Sequence, residues 1–348
     1  MEISKVIEYL KAYNGSEIKL MEVCGTHTAS IFNNGIRSLI SPKIKLISGP
    51  GCPVCVTPTA YIDKCIEYAC KENHILLTFG DMMKVPGTHG SLSQSKGRGA
   101  KVELMYSPFE AVEKAKANPN ITYVVAAVGF ETTAPAYPLM IKDAKKQGVK
   151  NLRLVTALKT LIPALTWICE NQQDIDGFIC PGHISVIIGS EIFKPLAEKY
   201  HKPFVVAGFE GEHILAVIYD LLCQIQSGKA DVKNLYKSAV KDGGNKKALD
   251  VIDKAFVQGP AMWRGLGIIP DSGLYLADAA YDVGSKGLDE DMELPEKCCC
   301  ASVIVGKMTP DQCPMFAKGC TPTNPFGPCM VSSEGACGIW FKNQSQVK

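Results

Sequence analysis

The sequence predicts an α/β protein with two parallel-sheet units flanked by helices, followed by an irregular C-terminal segment. Three observations carry this reading. From residue 18 to about 222, short continuous apolar runs alternate with amphipathic stretches, the pattern of buried parallel strands joined by crossover helices. Polar turns punctuated by Gly and Pro directly follow those runs. Beyond Cys298 the periodicity fades, and Pro, Gly and Cys dominate. A length of 348 residues suits two or three domains. Boundaries are expected at 1–140, 141–260 and 261–348, the first two units meeting near residues 135–150.

In chain order, the N-terminal MEISKVIEYLKAYNG is charged and amphipathic, unlike a signal peptide. Strands are predicted at Ile18–Val23, Ile44–Ser48, Ile75–Phe79, Lys101–Tyr106 and Tyr123–Val128. A second series is predicted at Leu152–Ala157, Gly177–Cys180 and Phe204–Ala207. Residues 231–256 read as two helices broken at Asp242-Gly243-Gly244-Asn245. The following QGPAMWRGLGIIPDSG reads as loop, and Asp289–Glu296 as a solvated acidic linker. The tail is too poor in apolar residues to hold together without a metal or covalent staple.

Composition narrows the function. The chain is 46% hydrophobic and 21% charged, with Lys+Arg 37 against Asp+Glu 35. That excludes a disordered chain and leaves no basic excess for nucleic acid. The only arginines are Arg37, Arg98, Arg153 and Arg264, which weakens a phosphate-reading role. No apolar run approaches the roughly 18 residues of a membrane span. A cytoplasmic location is expected, with neither nucleic acid nor membrane as partner. Fifteen cysteines, seven of them between Cys298 and Cys337, are then unusual. In a reducing compartment such crowding points to metal or redox chemistry rather than a disulfide scaffold.

The chemistry-bearing residues fall in the turns: VCGTHT (23–28), GPGCPVC (49–55), GDMMKVPG (80–87), GFETTAP (129–135), CPGHIS (180–185) and AGFEGEH (207–213). In an open parallel sheet the carboxyl ends of strands face one crevice, where ligands bind. Ordinary βα turns would account for the glycines but not for the added Cys, His, Asp and Glu. Cys52 and Cys55 form a CxxC, a pair able to cycle between dithiol and disulfide or to bind a soft metal. Cys24 offers a third thiolate, with His27 on the same helical turn. Asp81 and Glu131 are candidate proton-handling groups, ahead of His183, Glu210 and His213. Each has a plainer alternative as a helix cap, surface group or turn residue. Cys65, Cys70, Cys169 and Cys223 read as buried small hydrophobes.

In the tail, Cys313, Cys320, Cys329 and Cys337 stand in a Pro/Gly-rich segment, as four thiolates wrapping a metal cluster would. Their spacing indicates a cluster more firmly than it indicates iron–sulfur. Cys298-Cys299-Cys300 adds further thiols. Phosphate-binding P-loop, GxGxxG, HExxH and GxSxG motifs are all missing, against a kinase, dehydrogenase, zinc protease or serine hydrolase.

Taken together, CGTHT, GPGCPVC, GDM-x-KVPG, GFETTAP, CPGH, GFEG and GPCMVSSEGAC resemble, in order and from Met21 to about Phe341, the HypD family of hydrogenase maturation factors. The resemblance implies two Rossmann-like domains and a C-terminal [4Fe–4S] domain. It further implies a scaffold that builds the Fe(CN)2CO unit of [NiFe] hydrogenase with HypC, takes cyanide from HypE, and serves the hydrogenase large subunit indirectly. Residue by residue, Cys24, Cys52 and Cys55 match the iron-binding and redox cysteines, and Cys313, Cys320, Cys329 and Cys337 the cluster cysteines. The chain departs from the family where C-x-C-G is usual and Cys298-Cys299-Cys300-Ala301 stands instead. An iron–sulfur thiol–disulfide oxidoreductase working through Cys52 and Cys55 is the alternative reading, and a zinc-stabilised interaction protein the plainest.

Overall fold

The computed structural model describes residues 2–291 and 297–344. Its strands are β1 (Ile18–Glu22), β2 (Ile44–Ser48), β3 (His74–Thr78), β4 (Val102–Leu104), β5 (Thr122–Gly129) and β6 (Leu152–Lys159). They continue with β7 (Gly177–Pro181), β8 (Phe204–Ala207), β9 (Val232–Asn234), β10 (Phe256–Trp263) and β11 (Gly267–Leu276). A five-stranded sheet runs β2-β1-β7-β8-β9, parallel throughout. A six-stranded sheet runs β10-β11-β6-β5-β3-β4, parallel from β6 to β4, with β10 and β11 antiparallel.

Sheet membership does not follow chain order. Residues 1–140 supply β1 and β2 to the first sheet but β3, β4 and β5 to the second. Residues 141–260 likewise divide β6 and β10 from β7, β8 and β9. The chain crosses between the sheets three times, so each depends on strands from both halves. Local apolar periodicity marks a strand but carries no information on which sheet receives it.

The alternation along each strand shows why the sheets pack as they do. In β5, Tyr123, Val125 and Ala127 enter a core on one face, while Val124, Ala126 and Val128 enter another. The second core is shared: it also contains Met21 and Val23 after β1, the CxxC, and Val303, Cys329 and Met330 of the tail. The outer face of the first sheet is closed by the helices Ile3–Ala12 and Gly211–Gln226. The tail therefore docks into the seam between the two sheets.

Three segments differ from the sequence expectation. Residues 231–241 hold the short strand β9 in place of a helix, although the break at 242–245 and the helix Lys246–Ala255, capped by Asn245, are present. The segment expected as loop forms the β10–β11 hairpin. Its Gly and Pro disguised it, since Pro260 lies on the outer strand, beside a bulge between Gly259 and Ala261. Of the acidic segment, residues 292–296 lie outside the described residues. Asp289 and Glu290 are exposed as expected, whereas Asp291 is half-buried: it accepts hydrogen bonds from Thr59 and lies 3.5 Å from Arg264 Nε.

Residues 1–140 produced alone should fail to reach a native-like fold, because β1 loses β7 and β5 loses β6. Near-ultraviolet circular dichroism and amide exchange would show this; a cooperatively folded fragment would contradict the interleaving.

Candidate functional site

Parallel pairing of β1 with β2 sets Glu22 beside Ser48 and so brings the two cysteine-bearing turns together. Gly49 N donates to Glu22 O at 2.8 Å. A Cβ on Gly51 would lie 2.6 Å from Cys24 N, so only glycine lets the CPVC turn pass there. Glu22, which sequence reasoning missed, braces both turns. Its carboxyl accepts from Thr28 Oγ1 at 2.5 Å, Ser48 Oγ at 2.6 Å and Cys24 N at 3.4 Å. Burial pushes it up to about 7, against those hydrogen bonds. Its role exists only because two hydroxyls from other segments meet it.

Cys24 precedes the helix Gly25–Asn33 and is buried; burial raises its thiol to about 11. Cys52 and Cys55 are buried with their sulfurs 2.6 Å apart. Burial works against ionisation at both. At Cys55 it is outweighed by hydrogen bonds from Cys329 and Cys52 and by the charge of Arg264, bringing that thiol down to about 6. Cys52 moves upward through burial and through its neighbour. Within the pair, Cys55 is the sulfur that gives up its proton more readily and Cys52 the one that keeps it. Arg264 is fixed beside it: its N–H donates to Val56 O at 2.9 Å and its Nη1 to Pro86 O at 3.1 Å.

The tail closes the other side. Gly25 abuts Glu334 O so closely that a side chain there would collide. Asp81, in the short helix Gly80–Met82 after β3, receives the Ser332 hydroxyl at 3.5 Å, and burial raises its carboxyl. Burial raises Glu334 too, and the Cys55 and Asp81 charges add to it. Ser332 and Glu334 belong to the SSEG run of the tail, which announced a site without saying which members faced it.

Six cysteines line one apolar cavity in the tail: Cys298, Cys300, Cys313, Cys320, Cys329 and Cys337. All four predicted cluster cysteines are among them. Cys299 is not, although its thiol shares a hydrogen bond with Cys313. Cys300 and Cys329 sulfurs are 3.0 Å apart, and Phe326 N donates to Cys320 Sγ at 3.3 Å. Shared hydrogen bonds with Cys300, Cys337 and Cys55 push Cys329 upward, and burial pushes Cys298 up to about 12. Cys337 also rises, burial and neighbouring thiols overcoming its hydrogen bond with Cys329. A continuous row of sulfurs therefore runs Cys52–Cys55–Cys329–Cys300.

Other expectations shift. Cys24, Cys52 and Cys55 do not form a ready three-sulfur site; among the described residues no three His, Cys, Asp or Glu side chains are arranged to hold a metal ion. His27 turns away, its Nε2 3.0 Å from Gly208 O, and burial drives it down to about 4. It joins an aromatic group in which Phe209 lies 4.8 Å from His27 and 4.0 Å from His183, next to the His213–Glu210 pair at 2.6 Å. Glu131 binds the Leu161 amide at 2.7 Å, at the start of the helix Leu161–Asn171, which is a structural role. The turns thus serve two sheets rather than one crevice. Of the four cysteines expected to be inert, Cys65 and Cys169 are buried, Cys223 is half-buried and Cys70 is exposed.

Comparison with known proteins places the chain in a family. The family profile HypD, described as "Hydrogenase formation hypA family", matches residues 1–344. A hydrogenase maturation factor HypD of Rhodobacter capsulatus is 41% identical over 98% of this chain and 93% of its own length. The Escherichia coli HypD is 39% identical over 99% and 96%, and that of Cupriavidus necator 36% over 95% and 91%. No helix among the described residues is long and apolar enough to cross a membrane.

Burial pushes Glu131 up from 4.5 to about 7, so its ionisation opposes folding increasingly as pH rises across that window. Glu131→Gln keeps an acceptor for Leu161 N and removes the charge. Its stability relative to the parent should improve between about pH 5 and pH 7.5, by at most about 3 kcal/mol. Urea unfolding across that range measures it; a constant difference would contradict the assignment.

Proposed function

The chain belongs to the HypD family of hydrogenase maturation factors, and from that premise we propose that it is a scaffold and carrier on which iron acquires cyanide and carbon monoxide as the Fe(CN)2CO unit of [NiFe] hydrogenase. HypC and HypE are the partners this assigns, HypE carrying cyanide as a thiocyanate. The observation that carries the reading is the row of sulfurs linking the CxxC to the six-cysteine cavity.

The donor set of that cavity fits a [4Fe–4S] cluster. Sulfurs packed in apolar surroundings cannot all ionise together, and bound iron removes that penalty while Phe326 N–H supports one sulfur. Cys298, Cys313, Cys320 and Cys337 would hold it. Cys329, read from spacing as one of the four ligands, is assigned instead to a pair with Cys300, whose sulfur lies 3.0 Å away. When bound, the cluster supplies single electrons to adjacent thiols.

The chain's own residues do the rest. Cys55 thiolate and Cys52 give the iron two soft ligands suited to low-spin Fe(II). Cys24 gives a third after local rearrangement and loss of its proton, with a fourth open to HypC. Releasing cyanide from a thiocyanate takes two electrons: the S–CN bond breaks, leaving a thiolate and cyanide. Oxidation of Cys52 and Cys55 to a disulfide, before the pair binds iron, supplies both and frees their remaining proton. Ser332, hydrogen-bonded to Cys52, and Asp81 provide its exit. Two single electrons arriving through Cys329 and Cys300 from a bound cluster would then restore the thiolates that hold iron. The seam between the sheets excludes water from these steps. The oxidoreductase reading shares the dithiol but needs no iron on Cys24, and the 2.6 Å sulfur separation favours it to that extent.

Two experiments on anaerobically purified protein with HypC discriminate. Cys24→Ala should retain the cluster's visible absorption and lose non-cluster iron together with cyanide and carbonyl infrared bands; retained bands would count against a scaffold that holds iron on Cys24. Cys298→Ser should lose the cluster, whereas Cys329→Ser should keep it and lose reducibility of the CxxC, followed by iron and sulfide counting and thiol titration. The reverse pattern would return Cys329 to the ligand set.

A further inference from the structure

Strand β2 is the outer strand of its sheet and pairs only with β1. Beyond that pairing, Lys45, Leu46 and Ile47 make no backbone–backbone hydrogen bond among the described residues. One row of amides and carbonyls therefore faces outward, ready to pair with another chain. Along this row runs an open cleft of about 460 Å3, walled by β2 on one side and residues 306–309 on the other.

The cleft is basic. Arg37, Lys45, Lys307 and Lys19 line it, against a single carboxylate, Glu17. Lys19 is engaged by Asp174 at 2.6 Å, and Glu17 reaches Lys45 only at 4.0 Å. Arg37 is held in place by aromatic faces, its guanidinium carbon 4.9 Å from the Trp340 ring centre and 5.4 Å from that of Phe32. Yet Arg37 Nε, Arg37 Nη2 and Trp340 Nε1 are buried with no hydrogen-bond acceptor. Those two nitrogens of Arg37 face inward, with Glu22 and Asp311 the carboxylates whose charges act on it, so it reaches the cleft only by the remaining part of its guanidinium.

We propose that an extended acidic peptide segment of a partner protein docks along β2 by strand addition, with a carboxylate seated on Arg37. The row of main-chain groups provides affinity and the cations provide direction. A second copy of this chain does not suit the edge, since Lys45 would oppose lysine. A free anion would satisfy Arg37 but leave the strand edge unused. The inference stands apart from the sulfur chemistry.

The test uses the intact protein and a fluorescein-labelled octapeptide of alternating Glu and Val, followed by anisotropy and by quenching of Trp340. Saturable binding is expected, weakened about tenfold or more by Arg37→Gln and similarly by N-methylating alternate peptide nitrogens. Lys45→Glu, which leaves the Arg37 packing intact, should reject this peptide and accept its Lys-Val counterpart. Absence of saturable binding would overturn the proposal. So would an N-methylated peptide binding as well as its parent, or inorganic phosphate displacing the peptide at concentrations comparable to the peptide's own; either would mark a free-anion site.

Discussion

A thiolate in an apolar interior is unstable unless a proton, a cation or a metal shares its charge, and this chain buries a whole row of cysteines at the seam of two sheets. Every unusual feature nearby answers that constraint. Cys55 is stabilised by Cys329, Cys52 and Arg264, while Cys52 keeps the proton. Cys24 stays a neutral thiol under burial. In the tail, Cys298 is pushed up mainly by burial, Cys329 mainly by its sulfur neighbours, and Cys337 by burial and nearby thiols against its hydrogen bond with Cys329. The row therefore cannot carry several ionised sulfurs at once unless a further positive charge shares them.

The interleaved topology is what makes the seam possible. Because β1 and β2 belong to one sheet and β3 to the other, the turns carrying Cys24, Cys52, Cys55 and Asp81 can converge although they precede most of the strands that complete those sheets. The β10–β11 hairpin then returns Arg264 to the CxxC, and the tail covers the junction with Ser332 and Glu334. Loops on one sheet alone would have exposed the sulfurs to water. Here an acceptor, a cation and a soft-ligand wall arrive from segments far apart in sequence.

The same packing separates residues that look equivalent in the motifs. His27 shares a helical turn with the CGTHT cysteine but spends its Nε2 on Gly208 O and its ring on Phe209. Glu131 and Asp81 both follow strands of the second sheet; one binds a helix amide and the other faces the tail. Glu22, unremarked among polar strand residues, ties the two cysteine turns together.

Strand positions in the buried centre were legible from sequence because continuous apolar runs there are required on both faces of a parallel sheet: Phe204–Ala207 coincides with β8 and Gly177–Cys180 falls within β7. Family membership and the crowding of cysteines in an irregular tail were legible too, since ligands and close-packing glycines must be specific residue types at specific places. The β10–β11 hairpin was not, as its Gly and Pro are tolerated only by virtue of edge position and a bulge. Nor was the choice of sheet for each strand, the proximity of Cys329 to Cys300 and Cys55, or the orientation of His27. Those depend on which distant segments pack together, and pairwise distance is a property of the folded chain that local pattern does not encode.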